Sequence, residues 1–304
     1  MPPIRAALTI APQSPIDFVG TPFLNPTKSD RLYGDPVFRL VLTFNIAFVI
    51  ISLPTEIRGY LIVERFSRTE LLFGQEAMQR IASARVAVFG IGGVGGYVVE
   101  ALARSGVGQL DIIDNDKVCL SNINRQIYAT ERTVGRYKVD VAAERIAEIN
   151  PKCEVRTFKT FFMPDNSKEF DFTLYDYVVD AIDTVTGKIE IIMKAQESNI
   201  PIISCMGTGN KLDPTKLEIS DIYKTSVCPL ARVMRSELKK RGVKSLKVLF
   251  SKENPLKPLK NQEKNGNLRK AVPGSTAFVP PSAGLIIASE VIRDILANAE
   301  EKEN

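Results

Sequence analysis

A chain of 304 residues with 44% hydrophobic side chains can bury one large core or two modest ones. Its 40 basic and 35 acidic side chains leave a net charge of +5, which permits a polyanionic partner without demanding one. There is no histidine, which excludes Ser-His and Cys-His nucleophile pairs, a histidine general base and the commonest zinc ligand. The four cysteines, Cys119, Cys153, Cys205 and Cys228, stand far apart with no C-x-x-C pair, so neither a disulfide framework nor a structural zinc site is signalled.

Residues 1–62 read unlike the rest, with prolines at Pro2, Pro3, Pro12, Pro15, Pro22, Pro26 and Pro36 and little periodicity between them. Poor order is expected there. The apolar run 38–53 carries Arg39 and Asn45 and falls short of the roughly twenty residues of a membrane span. It also begins too far from the N-terminus for a secretory signal. Two expectations compete: an extension outside the working protein, whose start would lie near Val63, or a membrane-tethering segment acting through 38–53.

From residue 63 the signals become regular. A helical pattern over 70–81 leads into the short strand 85–89, which breaks into glycines, and a helix continues over 97–104. A second strand is expected over 109–114, an amphipathic helix over 136–149 ending at Asn150-Pro151, and strands over 154–159, 177–182 and 200–205 with a helix over 188–197. Beyond Gly209, shorter strands over 216–223 and 246–250 flank a basic helix over 230–241. A mobile loop is expected over 251–274, and a final helix over 282–297. Strands alternating with helices predict an α/β fold: a Rossmann-like, mostly parallel sheet with helices on both faces and a C-terminal mixed extension. We divide it into a nucleotide-binding core, 63–209, and a substrate-binding part of the same domain, 210–304.

The chemistry gathers around Gly90-Ile-Gly-Gly-Val-Gly95. Gly90, Gly92 and Gly95 fit G-x-G-x-x-G, with Gly93 in the same loop, between a strand and a helix. Asp114, about twenty residues on and followed by Asp116, is the acid that would hold ribose hydroxyls. Asp180 and Asp183 end another strand, and all these groups are expected at one sheet edge. The next segment separates the candidate cofactors. Hydride transfer to NAD gives no task to a guanidinium, amides and an ammonium in this crossover, whereas transfer at the α-phosphate of ATP does. Arg125 and Lys138 would supply cations, Asn122 and Gln126 hydrogen bonds, and Asp183 a ligand for Mg2+. Separately, Arg232, Arg235, Lys239, Lys240, Arg241, Lys244 and Lys247 crowd the basic helix and its end, a density that suits nucleic-acid phosphates. Cys205 is the only thiol near the expected site, and its strand reads as buried and inert.

In order and spacing, the glycine loop, Asp114-Asn-Asp116, Ser121-Asn-Ile-Asn-Arg-Gln126, Lys138 and Asp180-Ala-Ile-Asp183 resemble the adenylating domain of the ubiquitin-activating-like ThiF and MoeB superfamily. Arg65-Phe-Ser-Arg68, Cys205-Met-Gly207, Asp213-Pro-Thr215 and Asp221-Ile-Tyr-Lys-Thr225 further resemble its tRNA threonylcarbamoyladenosine dehydratase branch, from about residue 64 to the end. The resemblance implies a cytoplasmic ATP- and Mg2+-dependent enzyme that adenylates the threonylcarbamoyl carboxylate on tRNA, after which ring closure expels AMP. It also implies that Asn122, Arg125 and Lys138 hold phosphates, that Asp183 binds the metal, and that Arg68 reaches the site of a second subunit in a homodimer. A sulfur-relay protein is a further partner it allows. Adenylation followed by intramolecular attack needs neither histidine nor a protein thiol, which suits this composition. Two alternatives stand beside it: an adenylyltransferase for a sulfur-carrier protein, which the missing C-x-x-C pairs disfavour, and a nucleotide-sensing module without turnover.

Overall fold

The β-branched run Arg85–Phe89 (β1) is the spine of the molecule, four of its five residues being buried. The computed structural model describes residues 65–258 and 273–303, and Phe66–Asn304 form one unit. The expectations for residues 1–62, including the run 38–53, and for most of the loop 251–274 lie outside the described residues. Among the described residues, no helix is long and apolar enough to cross a membrane.

Two short helices, α1 (Ser67–Phe73) and α2 (Gln75–Ser83), precede β1; the single helix expected over 70–81 is broken at Gly74, where φ is +81°. There follow α3 (Gly95–Ser105), β2 (Gln109–Ile113), α4 (Lys138–Ile149), β3 (Glu154–Phe158), β4 (Tyr177–Asp180), α5 (Val185–Glu197) and β5 (Ile202–Cys205). The chain ends with β6 (Leu217–Asp221), α6 (Pro229–Lys240), β7 (Lys247–Ser251) and α7 (Val279–Glu303). Helix α7 starts three residues before the expected 282, with Pro280 and Pro281 in its first turn, where their missing N–H groups have no helical acceptor to lose.

The seven strands run β3-β2-β1-β4-β5-β7-β6. All neighbours are parallel except β6, which pairs antiparallel with β7, so the expected mixed extension continues the same sheet. Strand order reverses between β1 and β4, and in such sheets the crevice for a ligand opens at the carboxyl ends of those two strands. Successive residues of β1 alternate between two cores. Val86 and Val88 pack with Val98, Leu102, Ala142, Ile287 and Val291 under α3, α4 and α7. Ala87 and Phe89 pack with Ile191, Ile192, Met234 and Leu238 under α5 and α6. Phe89 also stacks on Phe172 (ring centroids 5.7 Å apart) and meets Phe162 edge-on at 4.9 Å. Such pairs contribute about 0.5–1.5 kcal/mol each beyond area burial, so the last residue before the glycine loop is firmly held.

Candidate active site

Immediately after β1, Gly90 adopts φ +90°, a conformation that side chains disfavour, and its N–H donates to Ile113 O at the end of β2 (2.8 Å). A Cβ on Gly90 would lie 2.8 Å from Ala181 O, and one on Gly95 only 1.7 Å from Gly90 O. The loop thus folds back on itself and against the turn after β4, and α3 begins at Gly95 with its amide ends in the crevice.

Asp114 is tied into this loop: one carboxylate oxygen accepts from Ile91 N (2.7 Å), the other from Asp116 N (2.8 Å). Burial raises its pKa above the ordinary carboxylate value, an effect opposed by the Lys138 ammonium and the two backbone N–H donors. Lys138, the first residue of α4 and buried, lies 3.7 Å from Asp114 and donates to the exposed Asp116 at 2.7 Å. The structure therefore places Lys138 on the acid side of the loop, already paired with two carboxylates.

The crossover after β2 brings the amides alongside. Asn122 is buried in a short 3-10 turn, and its side-chain oxygen accepts from Cys119 N (3.0 Å), leaving its NH2 as the group it can offer. Gln126 is also buried, with Nε2 3.9 Å from where a Cβ of Gly92 would stand. Arg125 lays its stem over the loop, Cγ 3.5 Å from a Cβ position on Gly93, and its guanidinium is anchored on Ser121 O and Asn124 Oδ1, both at 2.9 Å. Asn124, which sequence reasoning passed over, donates in turn to Ser275 O (3.1 Å), joining the cluster to the segment ahead of α7.

Asp183 stands in the turn after β4, exposed, its only described hydrogen bond coming from the Thr184 hydroxyl at 3.5 Å. Asp180 does not join it at the edge. It is wholly buried, paired with Lys188 at 3.0 Å and bonded by the Ser204 hydroxyl at 2.5 Å, because its side chain points into the sheet and finds a cation there. Lys188 was also missed, although it interrupts the apolar stripe of Val185, Ile189 and Ile192 at helical spacing. Arg68 is exposed on α1, and no described contact joins it to the cluster. Of the thiols, Cys205 is buried and pushed up to about 12 by burial, and Cys153 to about 11 for the same reason; Cys228 is buried as well. A thiol so protonated is a poor nucleophile.

The basic helix is more committed than its composition suggests. Arg235 donates to Thr225 O (3.0 Å), Lys240 and Arg241 both pair with Glu237, and Lys247 is held by Glu290 and Asp294. That leaves Arg232, Lys239 and Lys244 exposed with no described ion pair.

Residues 66–304 match the model of the ThiF family. The tRNA threonylcarbamoyladenosine dehydratase of Bacillus subtilis is 44% identical over 249 residues, 79% of this chain and 98% of that protein. The E. coli tRNA N6-threonylcarbamoyladenosine dehydratase TcdA, solved in complexes with ATP and with AMP, superposes with a TM-score of 0.71 at 36% identity, over 78% of this chain and 96% of that one. The maize adenylyltransferase and sulfurtransferase MOCS3-1 is 36% identical over 160 residues, 52% of this chain and only 33% of that protein. With a Rossmann-like sheet carrying a glycine loop, an acid and flanking cations at its switch point, the chain belongs to the ThiF family, beside its tRNA threonylcarbamoyladenosine dehydratases.

Proposed function

We propose that this chain is an ATP-dependent dehydratase that cyclises N6-threonylcarbamoyladenosine in tRNA by adenylating the threonylcarbamoyl carboxylate, with ring closure expelling AMP. One observation carries the reading: Asp114, bonded to Ile91 N of the glycine loop, and Arg125, lying over Gly93, bracket that loop in a chain 44% identical to such a dehydratase along nearly its whole length. The residues fit the nucleotide. Asp114 would hold ribose hydroxyls, and the α3 amides, Asn122, Arg125, Gln126 and Lys138 its phosphates. They also fit Mg2+, which takes one or two carboxylates together with phosphate oxygens and water; Asp183 supplies an exposed carboxylate, and no cluster of three or more metal-ligating side chains exists among the described residues. When bound, the ion would offset charge on the phosphate oxygens. Incubating this protein with ATP and tRNA bearing the linear nucleoside, then measuring nucleosides by mass spectrometry, should show a product lighter by one water. Unchanged nucleoside alongside ATP cleavage driven by a Gly-Gly-ending carrier protein would sink this reading in favour of the sulfur-carrier one.

The tRNA surface is expected on α6 and the segment just after it, through Arg232, Lys239 and Lys244, the cations left uncommitted. Reversing all three to Glu should weaken tRNA binding and flatten its salt dependence by about 0.7–0.9 in log–log slope per lost phosphate contact. An unchanged slope in filter binding across a salt series would remove α6 from the interface.

A homodimer is supported by α1, which has no buried residue and exposes 86% of Leu71 and 82% of Leu72 beside Arg68. If Arg68 acts in the site of the second copy, Arg68→Ala and Arg125→Ala subunits are each inactive alone, but a mixed dimer rebuilds one intact site. An equimolar mixture should then recover about a quarter of wild-type activity, as random pairing gives half mixed dimers with half their sites whole. No recovery after exchange, verified by tagged pull-down, would place Arg68 in its own subunit's site or outside any site.

A further inference from the structure

Beneath the turn that presents Asp183 lies a pair of opposite charges shut off from water. Asp180, the last residue of β4, and Lys188, in the first turns of α5, have no exposed surface. The Lys188 ammonium donates to Asp180 Oδ1 and to Ile182 O, both at 3.0 Å, and lies 3.0 Å from Asp180 Oδ2. Asp180 in turn accepts from Ile182 N at 3.3 Å and from the Ser204 hydroxyl at 2.5 Å. Both backbone groups of Ile182 are thus held by one ion pair, and the carbonyl that Lys188 holds belongs to the peptide leading directly into Asp183.

Burying a charge is costly unless it is fully paired, and well-packed apolar residues commonly replace a buried pair without loss of stability. What they cannot replace is a directed hydrogen bond to a carbonyl. The neighbourhood indicates that the placing of this turn is what matters. A Cβ on Gly187, one residue before Lys188, would lie 2.7 Å from Ile182 Cδ1, while a Cβ on Gly90 would meet Ala181 O at 2.8 Å. The turn is wedged between the glycine loop and α5, with Lys188 fixing its far end.

We propose that Lys188 is a positioning residue for Asp183: its ammonium locks the Ala181–Ile182 turn on Asp180 and so sets where the Asp183 carboxylate stands relative to the nucleotide. The proposal rests on the reading of Asp183 as a cation ligand. Lys188 touches no reacting group itself.

The test uses the full chain. Lys188→Met alone leaves a buried carboxylate without its cation and is expected to lose stability whatever the role. Lys188→Met combined with Asp180→Asn removes both charges, and the Asn amide oxygen still accepts from Ile182 N. The double variant should melt near the wild type, yet exchange the Ile182 amide hydrogen at least tenfold faster, since the turn that holds it against residue 180 is no longer locked. It should also bind Mn2+, read by electron paramagnetic resonance in the presence of a non-hydrolysable ATP analogue, about 10–100-fold more weakly, the usual cost of losing an outer partner of a metal ligand. Wild-type exchange at the turn, or wild-type Mn2+ affinity, in a double variant that folds overturns the proposal. Asp183→Asn separates the two readings. If it leaves Mn2+ affinity unchanged, the cation assignment fails and the proposal with it; if it weakens binding while the double variant does not, the assignment stands and the role of Lys188 falls.

Discussion

Alanine at Arg125 or at Asp183 is expected to slow AMP release by about two to three orders of magnitude while leaving the fold intact, since one preorganised contact to charge developing in a transition state is worth roughly 3–4 kcal/mol. The geometry separates the two changes from structural damage. Asp183 is exposed, and its one described hydrogen bond, from Thr184 at 3.5 Å, is too long to matter much for stability. Arg125 is half-buried, but among the described residues its guanidinium donates only to Ser121 O and Asn124 Oδ1, groups that water can serve once the guanidinium is gone. Substitutions of this kind commonly change stability by no more than about 0.5 kcal/mol. The loss should therefore appear in turnover, with melting curves close to wild type. Pyrophosphate exchange at a near-normal rate in either variant would remove that residue from the reaction.

The same particulars show what a sequence conveys and what it withholds. Local signals were sufficient to bring the glycine loop, Asp114 and Arg125 to one place, because each is written within a few residues: a strand that stops at glycine, an acid after the next strand, an Arg in the crossover that follows. Partner choice is written nowhere in a local window. Asp180 and Asp183 are three residues apart and chemically alike, yet one is sealed in the sheet on Lys188 and Ser204 while the other is exposed in the turn beyond it. Strand register decides which, since Asp180 pairs with Ser204 of β5 and Asp183 lies beyond the ladder. Likewise the seven cations in and just after α6 look uniform in sequence. Glu237, Glu290 and Asp294 then claim three of them and Thr225 a fourth. Lys188 was the one case with a readable sign, a lysine set into an apolar helical stripe.

Gly95→Ala and Gly92→Ala should have opposite physical causes and one shared result, loss of ATP. At Gly95 the added Cβ would lie 1.7 Å from Gly90 O and 2.9 Å from Gly90 C, both backbone atoms, so no side-chain rotation relieves the clash. Gly90 cannot retreat either, being held at φ +90° with Ala181 O on its other side. The start of α3 must then move off β1, at a cost of about 1–3 kcal/mol for overpacking, and displacements near 1 Å in a positioned site can cost about a hundredfold in rate. Gly92 differs: its backbone is not in the positive-φ region, and a Cβ there would meet nothing closer than Gln126 Nε2 at 3.9 Å. Gly92→Ala should therefore fold and melt like the wild type. Its methyl group would occupy space that a phosphate needs against the loop amides, and calorimetry should show ATP affinity falling at least tenfold. If Gly92→Ala binds ATP normally while Gly95→Ala unfolds, the glycines serve chain packing alone, and the phosphates lie elsewhere than on this loop.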